Sequence, residues 1–160
     1  MEILVISDSH GDDAAIQQLL NQYAQSVQAV IHLGDHDRDL LQLARETSLP
    51  MYTVAGNCDD GAASPRERME LIGGHRIFMA HGNKLDVGFG VEKLARRARE
   101  ADAAVCLFGH THRSAIYTLH GIFFMNPGSI TDPRDDNRPS YGLLTLGDAP
   151  GAVSGKILFL

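Results

Sequence analysis

The chain has 160 residues, 44% of them hydrophobic and 21% charged with both signs interspersed, a balance that suits one globular domain over 1–160 and excludes a disordered or low-complexity scaffold. Its net charge of −6 argues against stable nucleic-acid binding, which depends on Lys and Arg neutralising phosphates. The opening "MEILVIS" lacks a basic leader, no apolar run approaches the ~18 residues of a membrane span, and two cysteines (Cys58, Cys106) are too few for a secreted disulfide framework, so a cytoplasmic protein with free thiols is expected.

"EILVIS" (2–7) and "AVIHL" (29–33) are short β-branched apolar runs that end in turn residues, as buried strands do. Between them Ile16, Leu19, Leu20, Tyr23 and Val27 recur at helical spacing behind an N-cap at Asp12 or Asp13, giving a βαβ unit. A second helix is predicted over roughly 37–47 on Leu40, Leu41 and Ala44, followed by a strand at "MYTVA" (51–55). "RMELIGGHRIFMAH" reads as a hairpin turning at Gly73-Gly74, and a helix over about 90–101 uses Val91, Leu94, Ala95 and Ala98 with arginines on its wet face. Strands follow at 103–108, 115–119, 121–125, 141–146 and near 155–160, with a long loop at 131–140 of the kind that often carries function. A parallel, helix-connected N-terminal half and an antiparallel C-terminal half suggest two packed sheets with helices outside. The class is α/β, or α+β under a stricter definition.

Chemistry-bearing residues collect just past the strands. Asp8-Ser9-His10 follows the first, Gly34-Asp35 the second and Gly56-Asn57-Cys58-Asp59 the third; His81-Gly82 ends the hairpin, and Gly109-His110-Thr111-His112 follows 103–108. In sheets of this kind, sites form beyond the carboxyl ends of the strands. In extended backbone, residues i and i+2 face the same side about 6.6 Å apart, so Asp8 with His10, and His110 with His112, are expected to converge. Mixed carboxylate, amide and imidazole donors suit Mn²⁺, Fe, Co²⁺, Ni²⁺ or Zn²⁺ and disfavour Ca²⁺ or a thiolate site. Two divalent ions against Asp8 and Asp35 would leave a local charge of about +2, which an acidic protein needs to hold a phosphate ester.

In this order, "DSH", "GD", "GNCD", "HG" and "GHTH" resemble the motifs of the calcineurin-like metallophosphoesterases, and "NPGS" (126–129) with the chain length resembles their small single-domain phosphodiesterase branch. The resemblance spans residue 8 to about 129. It implies a four-layer sandwich of two mixed β-sheets flanked by α-helices. It also implies two divalent metal ions, with Mn²⁺ the first choice. One would sit on Asp8, His10, Asp35 and His112 and the other on Asp35, Asn57, His81 and His110, with Asp35 bridging. The implied activity is phosphodiester hydrolysis by in-line attack of a metal-bridging hydroxide, with Asp35, Asn57 and His110 at the reacting centre. The implied partner is a small phosphodiester substrate, with no membrane, and a homo-oligomer is left open.

Two departures from the family pattern stand out. Cys58 occupies a position that is histidine in many of these enzymes, and a thiol is a poor general acid near neutrality. Asn83 stands where some relatives have a histidine. Rival readings are a phosphomonoesterase or nucleotide hydrolase on the same site, and a non-enzymatic scaffold like the retromer subunit that shares this fold. Among the other polar residues, His32 reads as a hydrogen-bonded core residue, and His36 and Asp37 as the start of the next helix with a supporting role left open. His75 and His120 read as surface residues, Cys106 as core, Asp59 and Asp60 as turn residues. Arg134 reads as a solvated loop arginine within reach of a phosphate, and Arg96, Arg97 and Arg99 as a solvated helix face.

Overall fold

In the computed structural model, which describes residues 1–43, 47–61, 63–135 and 138–160, ten strands form two five-stranded sheets. The first sheet contains β1 (Glu2–Ile6), β2 (Ala29–His32), β3 (Met51–Thr53), β9 (Ser140–Leu146) and β10 (Val153–Phe159), in the order β10-β9-β1-β2-β3. The second contains β4 (Glu67–Ile72), β5 (His75–Ala80), β6 (Val105–Phe108), β7 (Ser114–Leu119) and β8 (Ile122–Pro127), in the order β4-β5-β6-β8-β7. Helices α1 (Asp13–Tyr23), α2 (Asp37–Leu43) and α3 (Glu92–Glu100) flank the pair. Among the described residues, no helix is long and apolar enough to cross a membrane.

The central strands β1, β2 and β6 read as apolar runs because both of their faces are buried. Side chains alternate across a strand, so Ile3 and Val5 of β1 enter the core between the sheets while Leu4 and Ile6 meet α1 and α2. Ile77 and Met79 of β5 and Val105 and Leu107 of β6 likewise face the inter-sheet core, and Phe78, Cys106 and Phe108 pack with Leu94 and Ala98 of α3. Three apolar interfaces therefore separate four layers, helices–sheet–sheet–helix. Asp12 caps α1 by accepting the Ala15 N–H, and that helix ends at Tyr23, leaving Val27 buried in the connection to β2. In α2, Leu40 is buried and Leu41 exposed; Ala44 and the helical continuation over 44–46 lie outside the described residues. Gly73 and Gly74 both take positive φ, the backbone a two-residue hairpin turn requires.

The expected division of the sheets by chain half is corrected. β5, β6 and β8 run parallel in the second sheet, and β9 returns to pair antiparallel with β1 in the first. The sheets are thus mixed, because α3 supplies a helical crossover from β5 to β6 that periodicity placed but could not assign to a parallel pair. The consequence matters for function: β1, β2, β5 and β6 all deliver their carboxyl ends to one edge of the sandwich.

Candidate metal centre

At that edge the backbone is unusual. Nine described non-glycine residues have positive φ, and six of them are Asp8, His10, Asp35, His36, His110 and His112. The left-handed region costs an L-residue about 1–2 kcal/mol, and Asp and His are among the types that tolerate it best. The extended-strand rationale for the Asp8/His10 and His110/His112 spacings is therefore corrected. Each pair straddles tight left-handed turns, and the turns aim the side chains.

These turns are fixed by a buried polar framework. Asp59 accepts the backbone N–H groups of Asp35 (2.8 Å), His36 (2.8 Å), Asp37 (3.1 Å) and Gly56 (2.8 Å), which seats the Asp35 turn against the Asn57 loop. A Cβ on Gly56 would fall 2.2 Å from the Asp35 Oδ1, and one on Gly109 2.1 Å from the Ser7 Oγ, so both loops close on the cluster only as glycine. Ser9 donates to Asp39 (2.7 Å) and meets the His32 Nε2 at 2.9 Å, while the His32 Nδ1 accepts the Gly34 N–H. The His32 imidazole is neutral there, its pKa brought down to about 4 by burial. The "NPGS" segment is a clip. Asn126 donates to the Gly109 carbonyl and to Thr111, and Ser129 donates to the Asp8 carbonyl at 2.8 Å and accepts the Asp132 N–H.

Within this framework Asp8, His10, Asp35 and His112 bring one ligand atom each to within 4.8 Å of one another. The His112 Nε2 lies 3.2 Å from the Asp8 Oδ1 and 3.4 Å from the His10 Nε2, and the His10 Nε2 is 3.9 Å from the Asp35 Oδ2. On the other side of Asp35, the His81 Nε2 lies 3.4 Å from the Asp35 Oδ1 and 3.2 Å from the Asn57 Oδ1. The His81 and His110 rings stand 5.1 Å apart, and the His110 N–H donates to the Asp8 Oδ2. All seven predicted ligand residues thus meet at one place. His10 and His112 stand beside each other, as do His81 and His110, and both His112 and His81 approach the Asp8 Oδ1, at 3.2 and 3.9 Å.

The donor set calls for a cation. The His81 Nδ1 donates to the Leu33 carbonyl (2.7 Å) and the His112 Nδ1 to the Asp132 carbonyl (2.6 Å), so each neutral ring turns a lone pair toward the carboxylates. The Asp8 Oδ1 is buried and, while the His112 ring is neutral, has no hydrogen-bond donor among the described residues. Acceptors facing acceptors in a buried site are costly unless a positive charge lies between them. Protons are drawn in accordingly. Burial opposes charge on Asp8, Asp35 and His81. Hydrogen bonding and opposite charge outweigh it, holding the two carboxyls below their usual range and raising His81. The hydrogen bond to Asp8 raises His112 likewise, while burial and the charge of His81 push His110 down. These residues fit divalent metal.

Other residues fall differently from their sequence reading. His75 is buried, not surface, with its Nε2 2.9 Å from the Gly147 carbonyl, whereas His120 is exposed. His32 and Cys106 lie in the core as expected. Arg97 pairs with Glu67 and Glu100. Asp59 and Asp39 are buried supports of the site, with Ser129 and Asn126 as the clip; sequence reasoning missed these roles, and the only available cue was turn chemistry directly after strands.

Comparison with known proteins identifies the family. The calcineurin-like phosphoesterase superfamily domain matches residues 1–149. The chain is 34% identical to the probable metallophosphoesterase YsnB of Bacillus subtilis, covering 96% of this chain and 89% of that protein. It is 31% identical to the vacuolar protein sorting-associated protein 29 of Schizosaccharomyces pombe (96% and 87%) and 29% identical to the phosphodiesterase YfcE of Escherichia coli (90% and 87%). The crystal structure of a conserved protein from Streptococcus pneumoniae TIGR4, described as a predicted phosphoesterase, superposes with a TM-score of 0.80 at 30% identity, covering 98% of this chain and 97% of that one. The chain belongs to the calcineurin-like phosphoesterase superfamily.

Proposed function

We propose that the protein is a dinuclear metal-dependent phosphodiesterase. The observation that carries this reading is the meeting of Asp8, His10, Asp35, Asn57, His81, His110 and His112 at one sheet edge, with buried acceptors turned toward one another. Asp8, His10, Asp35 and His112 would hold one ion and Asp35, Asn57, His81 and His110 the other, with Mn²⁺ the first ion to test and Fe²⁺, Co²⁺, Ni²⁺ and Zn²⁺ also compatible with mixed imidazole and carboxylate donors. When bound, such a pair supplies Lewis acidity toward phosphoryl oxygens, a coordinated water acidic enough to ionise near neutrality, and a local excess of positive charge.

The chain's own residues supply the rest. The Leu33 and Asp132 carbonyls fix the tautomers of His81 and His112, so that each presents Nε2 without rotating. Ser7 and the His110 N–H hold the Asp8 Oδ2, and the Cys58 N–H holds the Asp35 Oδ1, which limits how the two carboxylates can turn. Asn57 is exposed and His110 half-buried at the open face of the cluster, where an amide and an imidazole can meet the phosphoryl oxygens of an ester. In metal-free protein partial desolvation and the Asp35 charge push the thiol of the exposed Cys58 up to about 11, and even an unperturbed thiol is a weak proton donor near neutrality. This favours diesters whose leaving group departs without help. The test is turnover of bis(4-nitrophenyl) phosphate by metal-stripped protein resupplied with Mn²⁺, Fe²⁺, Co²⁺, Ni²⁺ or Zn²⁺. Hydrolysis that Asp35→Asn abolishes supports the reading; rates no higher than a chelated control with every ion overturn it.

A monoesterase on the same site would show itself as a monoester rate exceeding the diester rate. The similarity to vacuolar protein sorting-associated protein 29 keeps a second reading, a binding platform, in view. Elemental analysis finding no metal after expression in metal-supplemented medium would favour it.

A further inference from the structure

Beside the metal centre, and continuous with it through His110 and Thr111, lies a cavity of about 440 Å³. Val87, Val91, Phe108, Ala115 and Tyr117 give it an apolar part, and the Tyr117 ring is stacked on Phe124 with centroids 5.2 Å apart. Its polar lining includes two exposed arginines, Arg113 and Arg134. Neither forms an ion pair among the described residues, in a chain whose net charge is −6. The segment that carries Arg134 is tied to the site. The Arg134 N–H donates to the His112 carbonyl at 2.8 Å, the Asp132 carbonyl accepts from the His112 ring, and Asp135 accepts both the N–H and the hydroxyl of Ser114. Arg113 sits one residue after His112 and is placed by the same turn.

We infer that this cavity receives the organic group of the phosphoric ester, and that Arg113 and Arg134 select esters whose organic group carries a second anionic substituent. The inference rests on the proposed phosphoesterase function and names its substrate class: an aromatic-sized apolar body bearing a carboxylate or phosphate in addition to the reacting phosphoryl group. A body of that size fits the volume. Val87, Val91, Phe108 and Tyr117 remove it from water, and a guanidinium fork matches the two oxygens of a second anion. A surface arginine kept only for solubility need not line a cavity that His110, a proposed metal ligand, also lines.

The experiment compares two diesters with the same 4-nitrophenol leaving group and either phenyl or 4-carboxyphenyl as the second ester group. The wild-type kcat/KM ratio of charged to uncharged ester is expected to be about tenfold or more, and to fall toward one in R113A/R134A and at high salt. Val91→Phe is expected to lower kcat/KM for both aryl esters relative to the corresponding methyl ester. A wild-type ratio near one, or a ratio that survives in the double variant, overturns the assignment. A non-hydrolysable phosphonate carrying the 4-carboxyphenyl group, titrated by calorimetry, separates the two levels. If no diester is turned over, the phosphoesterase reading fails, while tenfold weaker phosphonate binding by R113A/R134A still supports the cavity and equal binding overturns it.

Discussion

Replacing Asp59 by asparagine changes one atom at the centre of the site's support and leaves every proposed ligand in place. The carboxylate is 2% exposed and accepts four backbone N–H groups, two at each oxygen. However an amide is placed there, one oxygen keeps two donors and the new NH₂ group faces the other two. Two charge-assisted hydrogen bonds are lost and two buried N–H groups are orphaned, at about 1–3 kcal/mol each. Removing a negative charge beside Asp35 and Asp37 works in the opposite direction, so the net loss is about 2–5 kcal/mol, a large share of the ~5–15 kcal/mol that holds a domain folded. At roughly 2–4 °C per kcal/mol for a chain of this size, the melting temperature should fall by about 4–20 °C.

Stability is only half of the expectation. The released N–H groups are either those of Asp35 and Gly56 or those of His36 and Asp37, so either placement of the amide frees one of the two consecutive left-handed residues, Asp35 or His36. Without Asp59 the turn that presents Asp35 relaxes, so affinity for Mn²⁺ should fall at least tenfold even where Asp59→Asn is still folded. Urea unfolding of metal-free protein and Mn²⁺ titration of the folded variant measure the two effects. The control is Asp60→Asn, which removes the same charge from an exposed neighbour and should change stability by no more than about 0.5 kcal/mol. If Asp59→Asn matches that control in both measurements, the reasoning about the turn is wrong.

Metal-free protein should be most stable near pH 6.5. Acidification from there toward 4 must charge the buried His32, whose folded value is depressed from 6.5 to about 4, at a cost of about 3 kcal/mol, and still lower pH protonates Asp8 and Asp35. Above 6.5 the contribution of His81 and His112, whose folded values are raised, is lost as they deprotonate; a melting temperature that is flat from pH 5 to 9 would contradict this. Metal should displace those same protons, so Mn²⁺ should raise the melting temperature more at pH 8 than at pH 5.5, read by scanning calorimetry with and without the ion. Cys58→His should extend turnover to diesters with poorer leaving groups, and an unchanged leaving-group dependence of kcat would deny position 58 that role. Ser129→Ala removes the hydroxyl that holds the Asp8 carbonyl and accepts the Asp132 N–H, and should cost about 1–3 kcal/mol of unfolding free energy in urea.

What the sequence made legible, and what it hid, divides along a physical line. Strands such as β1 and β6 were plain because four successive side chains are buried, and no loop composition mimics that. "DSH", "GD", "HG" and "GHTH" were plain because each stands just past such a strand, while "GNCD" follows the short β3, of which only Thr53 is buried. Sheet membership was hidden, since β9 pairs with β1 through bonds that span nearly the whole chain, and no local pattern encodes a partner so far away. The convergence of the ligands was anticipated, but for the wrong reason. Extended geometry at residues 8–10 and 110–112 was the expected reason, with each i, i+2 pair about 6.6 Å apart along a strand, whereas Asp8, His10, His110 and His112 all have left-handed backbone. That backbone carries no compositional mark because Asp and His enter the region almost silently. The residues that make the strained turns affordable are just as quiet. Asp59 looks like any turn aspartate and Ser129 like any loop serine, yet each binds backbone from two loops at once. Glycine is the only visible trace: at Gly56 and Gly109 a side chain would strike a supporting or ligating oxygen. A glycine beside a ligand motif therefore says more about how closely two loops must approach than about how freely either one turns.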